Sequence, residues 1–297
     1  GIADGAGIDL PTLFLVQSME LSITVGESSY YLPTCTSLGF KRRRTTSRET
    51  IVAKNFDYPN DFASYHLTCR TSPEDRYKTL GCTMAPLPGM IDGMNEHGLT
   101  VTYNLGYTTD KPKYFVPISM MLQETLEKCK NTDEAIKFVA QAKRAGGALL
   151  LLADLEDNVK AMEISPNYAA TREATDDQIV NTNHYHTPEM QSHEVPHNAV
   201  FTSKIVKDRV GVRVHESSEQ RLTRAQELLK DQAKIDENKI VAILSDHGKD
   251  NKPSNLTICQ HGNFNSTLRS VIFYPRRKTI KVLYGNPCQN KYTEFTF

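Results

Sequence analysis

The sequence predicts a single α+β domain with helices packed on antiparallel sheets. Three observations carry that prediction. The elements come in the order strands, two helices, strands, two helices, strands. Strand-like stretches alternate apolar and polar residues with period two, whereas helical ones recur at three and four. No linker-like run divides the 297 residues.

Near the N-terminus, residues 13–16 read as a helix start, and Leu21, Ile23 and Val25 alternate as in a strand. Residues 30–40 and 50–57 flank a polar tip carrying Lys41, Arg42, Arg43 and Arg44, which reads as a hairpin with a solvated basic turn. Residues 78–104 hold a second strand pair, its later member following the turn-type Asn95-Glu96-His97-Gly98. Pro117 suits a first helical position. Behind it, Ile118, Met121, Leu122, Thr125, Leu126 and Cys129 form one apolar stripe. Asn131 can cap a second helix with Glu134 as its capping-box partner, and Ile136, Val139 and Ala140 form the buried face. Gly146-Gly147 ends that helix.

Residues 149–152 and 159–164 pair around Glu156-Asp157-Asn158. Residues 184–215 are polar and irregular and read as a solvated loop with five histidines, at 184, 186, 193, 197 and 215. A third helix starts at Ser217 or Ser218, with Leu222, Ala225, Leu228 and Leu229 on one face. A fourth covers residues 236–244, and the tail is a hairpin of 270–274 with 279–284 around Pro275-Arg276-Arg277-Lys278.

Composition excludes several functions. Lys plus Arg is 35 and Asp plus Glu is 35, so the chain is formally neutral and lacks the cationic excess a nucleic-acid binder needs. Mean hydropathy is −0.46, and no apolar run approaches the about 18 residues of a membrane span. Six cysteines are too sparse for a disulfide scaffold, and none forms a CxxC pair, which argues against a zinc knuckle. The start shows no signal-peptide pattern, so the expected compartment is the cytoplasm, although a chain beginning at Gly1 is either processed or a fragment.

Cysteine chemistry needs a thiolate and a base. A histidine of the 184–215 loop could serve. Alternatively, a cysteine that begins a chain can use its own α-amino group, whose ordinary pKa of about 7.7–8.0 lies near working pH. Cys35, polar-flanked and opening a strand-like segment, fits the second arrangement if the chain is cut before it.

Five motifs then occur in order: Thr34-Cys35-Thr36-Ser37, Lys54-Asn55-Phe56-Asp57-Tyr58-Pro59, Gly93-Met94-Asn95-Glu96-His97-Gly98-Leu99, Thr182-Asn183-His184 and Ser218-Glu219-Gln220-Arg221. Together they resemble the N-terminal-nucleophile amide hydrolases, and most closely the acyl-coenzyme A:6-aminopenicillanic acid acyltransferase family, related to choloylglycine hydrolases and penicillin V acylases. The resemblance implies a four-layer αββα sandwich of antiparallel sheets. It implies a pro-segment at 1–34, self-cleavage between Thr34 and Cys35, and a single catalytic domain at 35–297. Cys35 would attack a linear amide of a small N-acyl compound and form a thioester. Water would then complete hydrolysis, or a second amine would complete acyl transfer; a non-catalytic binding member of the fold is the alternative.

By position, Asp57 would orient the Cys35 amine or thiol, Asn183 and Asn104 would line an oxyanion hole, and Arg221 would fix charge near the nucleophile. The plain alternatives are a turn cap for Asp57, an Asx turn for Asn183 and a surface pair for Arg221, with Arg224 as a rival. Lys54 stands where bile salt hydrolases have Arg, and Thr34 stands where processed relatives have Gly. Cys82, in Gly81-Cys82-Thr83, matches the nucleophile triplet better than Cys35 but follows Asp57, which is the wrong order. The resemblance implies no cofactor or metal and a small-molecule amide as partner, and it allows a homo-oligomer.

Overall fold

The computed structural model describes residues 1–21, 34–114, 116–202 and 209–297. Two short helices, α1 (Ile2–Ala6) and α2 (Leu10–Gln17), precede strands β1 (Thr34–Phe40), β2 (Ile51–Pro59), β3 (His66–Thr71), β4 (Thr79–Met84), β5 (Asp92–Asn95) and β6 (Thr100–Gly106). Helices α3 (Ile118–Lys128) and α4 (Thr132–Gln141) follow, then strands β7 (Gly147–Ala153), β8 (Val159–Ile164), β9 (Ala169–Glu173) and β10 (Gln178–Asn181). A one-turn helix α5 (Pro188–Gln191), helices α6 (Glu216–Lys230) and α7 (Glu237–Leu244), and strands β11 (Asn265–Tyr274), β12 (Thr279–Tyr284) and β13 (Thr293–Thr296) complete the chain.

One sheet has the order β10-β1-β2-β11-β12-β13 and the other β3-β4-β5-β6-β7-β8-β9, all paired antiparallel. The pleat explains the layers. Ile51, Ala53, Ile272 and Tyr274 point toward α6 and α7, where they meet Ala225, Leu229, Ile240 and Leu244. Their neighbours Val52, Val271 and Phe273 point the opposite way, onto Leu151, Ala153, Val159 and Ala161 of the second sheet. On the far face of that sheet, Leu150 and Leu152 meet Leu122, Leu126 and Val139 of α3 and α4. The result is the four-layer αββα sandwich. At Gly39 the sheets approach so closely that an added Cβ would lie 2.7 Å from Val159 Cγ1.

Both sheets are covered on both faces, so β7, Gly-Ala-Leu-Leu-Leu-Leu-Ala, is an unbroken apolar run rather than an alternating one. Both hairpins form as expected, with the first pairing running from Thr34↔Asp57 to Phe40↔Ile51. The expected pair at 78–104 is three strands, and β3, β9, β10 and β13 add short pieces whose periods are too brief to read. Asn131 does cap α4, accepting from Glu134 N at 3.0 Å, but Glu134 accepts from Lys130 N rather than from the cap residue. The buried face of α4 is Thr132, Ala135 and Val139, with Ile136 half-buried and Ala140 exposed. The helix expected at 13–16 lies inside α2, and most of the strand expected at 21–25 falls outside the described residues. Glu20 is buried, its carboxylate accepting from Ser119 N at the start of α3. Among the described residues no helix is long and apolar enough to cross a membrane.

Candidate active site

Cys35 lies one residue into β1, with Phe56 opposite it on β2 and Thr34 opposite Asp57. Directly opposed residues share a face of the sheet and successive ones alternate. Thr34, Thr36 and Asp57 therefore face the α6 side, and Cys35, Ser37, Phe56 and Lys54 face the second sheet.

On the helix side, α6 carries its buried stripe from Leu229 and Ala225 into polar Arg221, Ser218 and Ser217. One face thus passes from core to site, and it is this stripe that pulls Arg221 inward. Its guanidinium is wholly buried. Nη1 donates to the Cys35 carbonyl and to Thr36 Oγ1 (2.9 Å), Nη2 donates to Asn183 Oδ1 (2.8 Å), and Nε donates to Ser217 Oγ (3.2 Å). Asn183, in the turn after β10, also accepts the Cys35 backbone N–H at 2.8 Å. Two donors on its oxygen and a bond from Nδ2 to Leu105 O (2.9 Å) fix which way its amide points. Arg221 and Asn183 together grip the two backbone ends of Cys35.

Asp57 is also wholly buried. Its Oδ1 accepts from Thr267 Oγ1 at 2.6 Å, and Oδ2 has no hydrogen-bond partner among the described residues. Burial pushes its carboxyl up to about 6, against the pull of Arg221. The Thr34 hydroxyl beside it donates to Gln260 Oε1 at 3.0 Å. Asp57 thus lies directly opposite Thr34 in the ladder, and the pleat puts it on the opposite face from the Cys35 thiol.

The thiol itself is buried, which pushes it up to about 11 in the uncleaved chain, with Lys54 the strongest opposing influence. Lys54 Nζ donates to Asp92 Oδ1 (2.6 Å) and to the Tyr103 carbonyl, while Arg269 Nη2 donates to Asp92 Oδ2 (2.7 Å). Both cations lie over the Phe56 ring, at 5.3 and 4.9 Å from its centroid.

Asn104 sits on β6 and accepts from Ser37 Oγ at 2.5 Å. Both hydrogens of its amide are engaged, by Asn181 O (3.2 Å) and Thr182 O (2.9 Å). It is a strut between the sheets, reached through Ser37 two residues along from Cys35, and the structure does not aim its amide at the nucleophile.

A model of the acyl-coenzyme A:6-aminopenicillanic acid acyl-transferase family matches residues 43–289. The chain belongs to that family. As an acyl-transferase family member it stands among N-terminal-nucleophile amide hydrolases and acyltransferases that act on N-acyl compounds. The matched stretch starts beyond Cys35. No curated protein sequence matches the chain. Its fold is similar to a Caenorhabditis elegans ortholog of N-acylethanolamine-hydrolyzing acid amidase, with a TM-score of 0.55 and 16% identity over 81% of this chain and 93% of that one. It is also similar to a variant of conjugated bile acid hydrolase from Clostridium perfringens, with a TM-score of 0.58 and 13% identity over 89% of this chain and 97% of that one. At such identities the likeness is one of fold.

Cys82 is buried mid-strand in β4, between the sheets. Arg224 turns outward and pairs with Asp246. The five histidines are not a solvated loop: only His197 is exposed, and His184 and His186 stack with centroids 4.8 Å apart. Burial, then His186, pushes His184 down to about 3. The polar sequence there packs because its hydroxyls and rings satisfy one another. His184 Nδ1 meets Ser218 Oγ at 2.7 Å, and that hydroxyl also accepts Asn183 N at 2.7 Å. Sequence reasoning missed Asp92, Arg269, Thr267 and Gln260 at this site. Only the i, i+4 spacing of Ser217 and Arg221 could have flagged a polar continuation of the α6 stripe.

Proposed function

We propose that this chain is a cysteine N-terminal-nucleophile amidohydrolase whose nucleophile, Cys35, is freed by cleavage of the Thr34–Cys35 bond. The observation that carries the reading is the grip on Cys35, with Asn183 Oδ1 on its nitrogen at 2.8 Å and Arg221 on its carbonyl. Thr34, though β-branched, lies in strand β1, where such a residue is comfortable.

In the first stage Cys35 Sγ adds to the Thr34 carbonyl carbon. The C–S bond forms, the C–N bond breaks, and the nitrogen takes the thiol proton to become an α-amine. Water then cleaves the thioester and leaves residues 1–34 with a carboxylate. In the second stage that amine accepts the thiol proton, and the thiolate attacks the carbonyl of a small N-acyl amide. The proton passes to the departing amine, and water or a second amine resolves the acyl-enzyme. Asn183 Oδ1 and Asp57 hold the new ammonium. Asn183 Nδ2 is the proposed oxyanion donor, an interaction of a kind that contributes about 2.7–4 kcal/mol in the transition state.

The test is mass analysis of the purified chain with amine release from N-acylethanolamines, glycine- and taurine-conjugated acids and penicillin V. Cleaved wild type should begin at Cys35 and release amine, whereas Cys35→Ala should stay intact and release none. A second amine added to the same assay reads acyl transfer as a new amide. Turnover by Cys35→Ala, or by a chain with the 34–35 bond intact, overturns the reading. An intact, inactive wild-type chain would instead be a binding member of the fold.

A further inference from the structure

Behind the site, four side chains from three segments converge: His247 after α7, Cys259 and His261 before β11, and Cys288 after β12. Their ligand-type atoms all lie within 4.8 Å of one another. The two sulfurs are 3.6 Å apart. His261 Nε2 is 3.4 Å from Cys259 Sγ, 3.3 Å from Cys288 Sγ and 3.2 Å from His247 Nε2.

We propose that these four residues form a structural zinc site. Zinc bonds of about 2.3 Å to sulfur and 2.0–2.1 Å to imidazole, set tetrahedrally, put sulfurs about 3.8 Å apart, nitrogens about 3.3 Å and mixed pairs about 3.5 Å. The four separations just given lie within about 0.2 Å of that pattern, and the two from His247 to the sulfurs fall within the wider 4.8 Å spread of the cluster, which the ion would draw in. Hydrogen bonding alone accounts poorly for the cluster, because a neutral ring nitrogen is one donor or one acceptor, and His261 Nε2 faces three groups. Two thiolates and two imidazoles are a donor set that selects zinc, and four protein ligands leave no open position for reacting water.

The backbone is built around this point. Cys259 and His261 flank Gln260, so in an extended segment their side chains leave on one side and that of Gln260 on the other. Gln260 reaches the active site, accepting from Thr34 and donating its N–H to Thr267 Oγ1 at 2.9 Å. Cys259 N donates to Asp246 O at 3.0 Å, drawing in the His247 turn. Gly285, with φ +91, turns the chain after β12 and delivers Cys288. Between them Asn286 Nδ2 donates to Gln260 O at 2.8 Å and approaches Cys259 Sγ at 3.9 Å, the kind of outer contact that steadies a metal thiolate. The ion would thus pin the segment that carries Gln260 without touching the reaction.

The test is elemental analysis of the full chain after gel filtration, followed by exchange of the metal for cobalt. One zinc per chain is expected, and the cobalt form should show the visible absorption of a tetrahedral, thiolate-ligated ion. Cys288→Ala, altering the exposed ligand, should weaken zinc binding at least about 100-fold, while Cys69→Ala keeps one equivalent. Substoichiometric zinc in the folded wild-type chain overturns the proposal. So does a Cys259–Cys288 disulfide, seen as two missing free thiols, or a cobalt spectrum unchanged in Cys288→Ala.

Discussion

Two aspartates are wholly buried on opposite faces of the central ladder, and they are used differently. Asp92, in the inter-sheet layer, has both oxygens occupied by the cations of Lys54 and Arg269, and it also accepts Tyr103 N–H. Asp57, on the helix side, has one hydroxyl on Oδ1 and no partner for Oδ2 among the described residues. A saturated buried carboxylate holds structure. An undersaturated one, with its carboxyl pushed up to about 6 by burial, retains capacity to take a cation or a proton. The teaching is that depth of burial is the same for the two carboxylates and the count of satisfied lone pairs is what differs between them.

The largest effect should come from emptying the saturated site. Asp92→Ala leaves two buried cations without a counter-charge, and stability should fall by about 3–5 kcal/mol, measured by denaturant unfolding. An unchanged midpoint would dissolve the contrast. Next comes Arg221→Lys, which removes the planar fork joining the Cys35 carbonyl, Thr36 and Asn183. Losing charge-assisted bonds of about 1.5–3 kcal/mol should lower kcat/KM roughly 10- to 100-fold and slow the appearance of the Cys35 N-terminus.

The smallest stability effect should belong to Asp57→Asn. An unfolded Asp titrates near about 3.9, and the folded Asp57 near 6. The folded state therefore disfavours the ionised form, so stability falls as pH rises between those values and stays at the lower level above them. The amide should leave stability at neutral pH unchanged or raised. Activity should behave oppositely: wild-type kcat/KM drops on the acid side as Asp57 takes up a proton, below about pH 6 because the Cys35 ammonium of the cleaved chain favours the carboxylate, and Asp57→Asn is weakly active with that acid limb absent. A wild-type limb that persists in the variant belongs to another group.

Much of the layout was readable along the chain. The α3 and α6 stripes, both hairpins and the order of elements follow from local periodicity. Strands β3, β9, β10 and β13 escaped because pieces of four to six residues with mixed polarity carry too little period. At the site, Cys35, Asp57, Asn183 and Arg221 are brought together, and Arg221 prevails over Arg224 because the α6 stripe points it inward. Asn104 lies close by but spends its amide on β10 and the turn beyond it. The histidines escaped for a different reason: a polar segment that packs through its own hydrogen bonds has the same composition as one that does not.

The sequence by itself determined the α+β class, from local period, and the family resemblance, from the linear order of five motifs, which in turn implied the αββα sandwich and pointed to Cys35. Only the tertiary structure decided that Asp57 and the thiol lie on opposite faces, that Asp92 balances Lys54 and Arg269, and that His247, Cys259, His261 and Cys288 meet. The physical reason is that pleat, register and turn geometry convert a separation of tens of residues into a few ångströms, and no local pattern records that conversion.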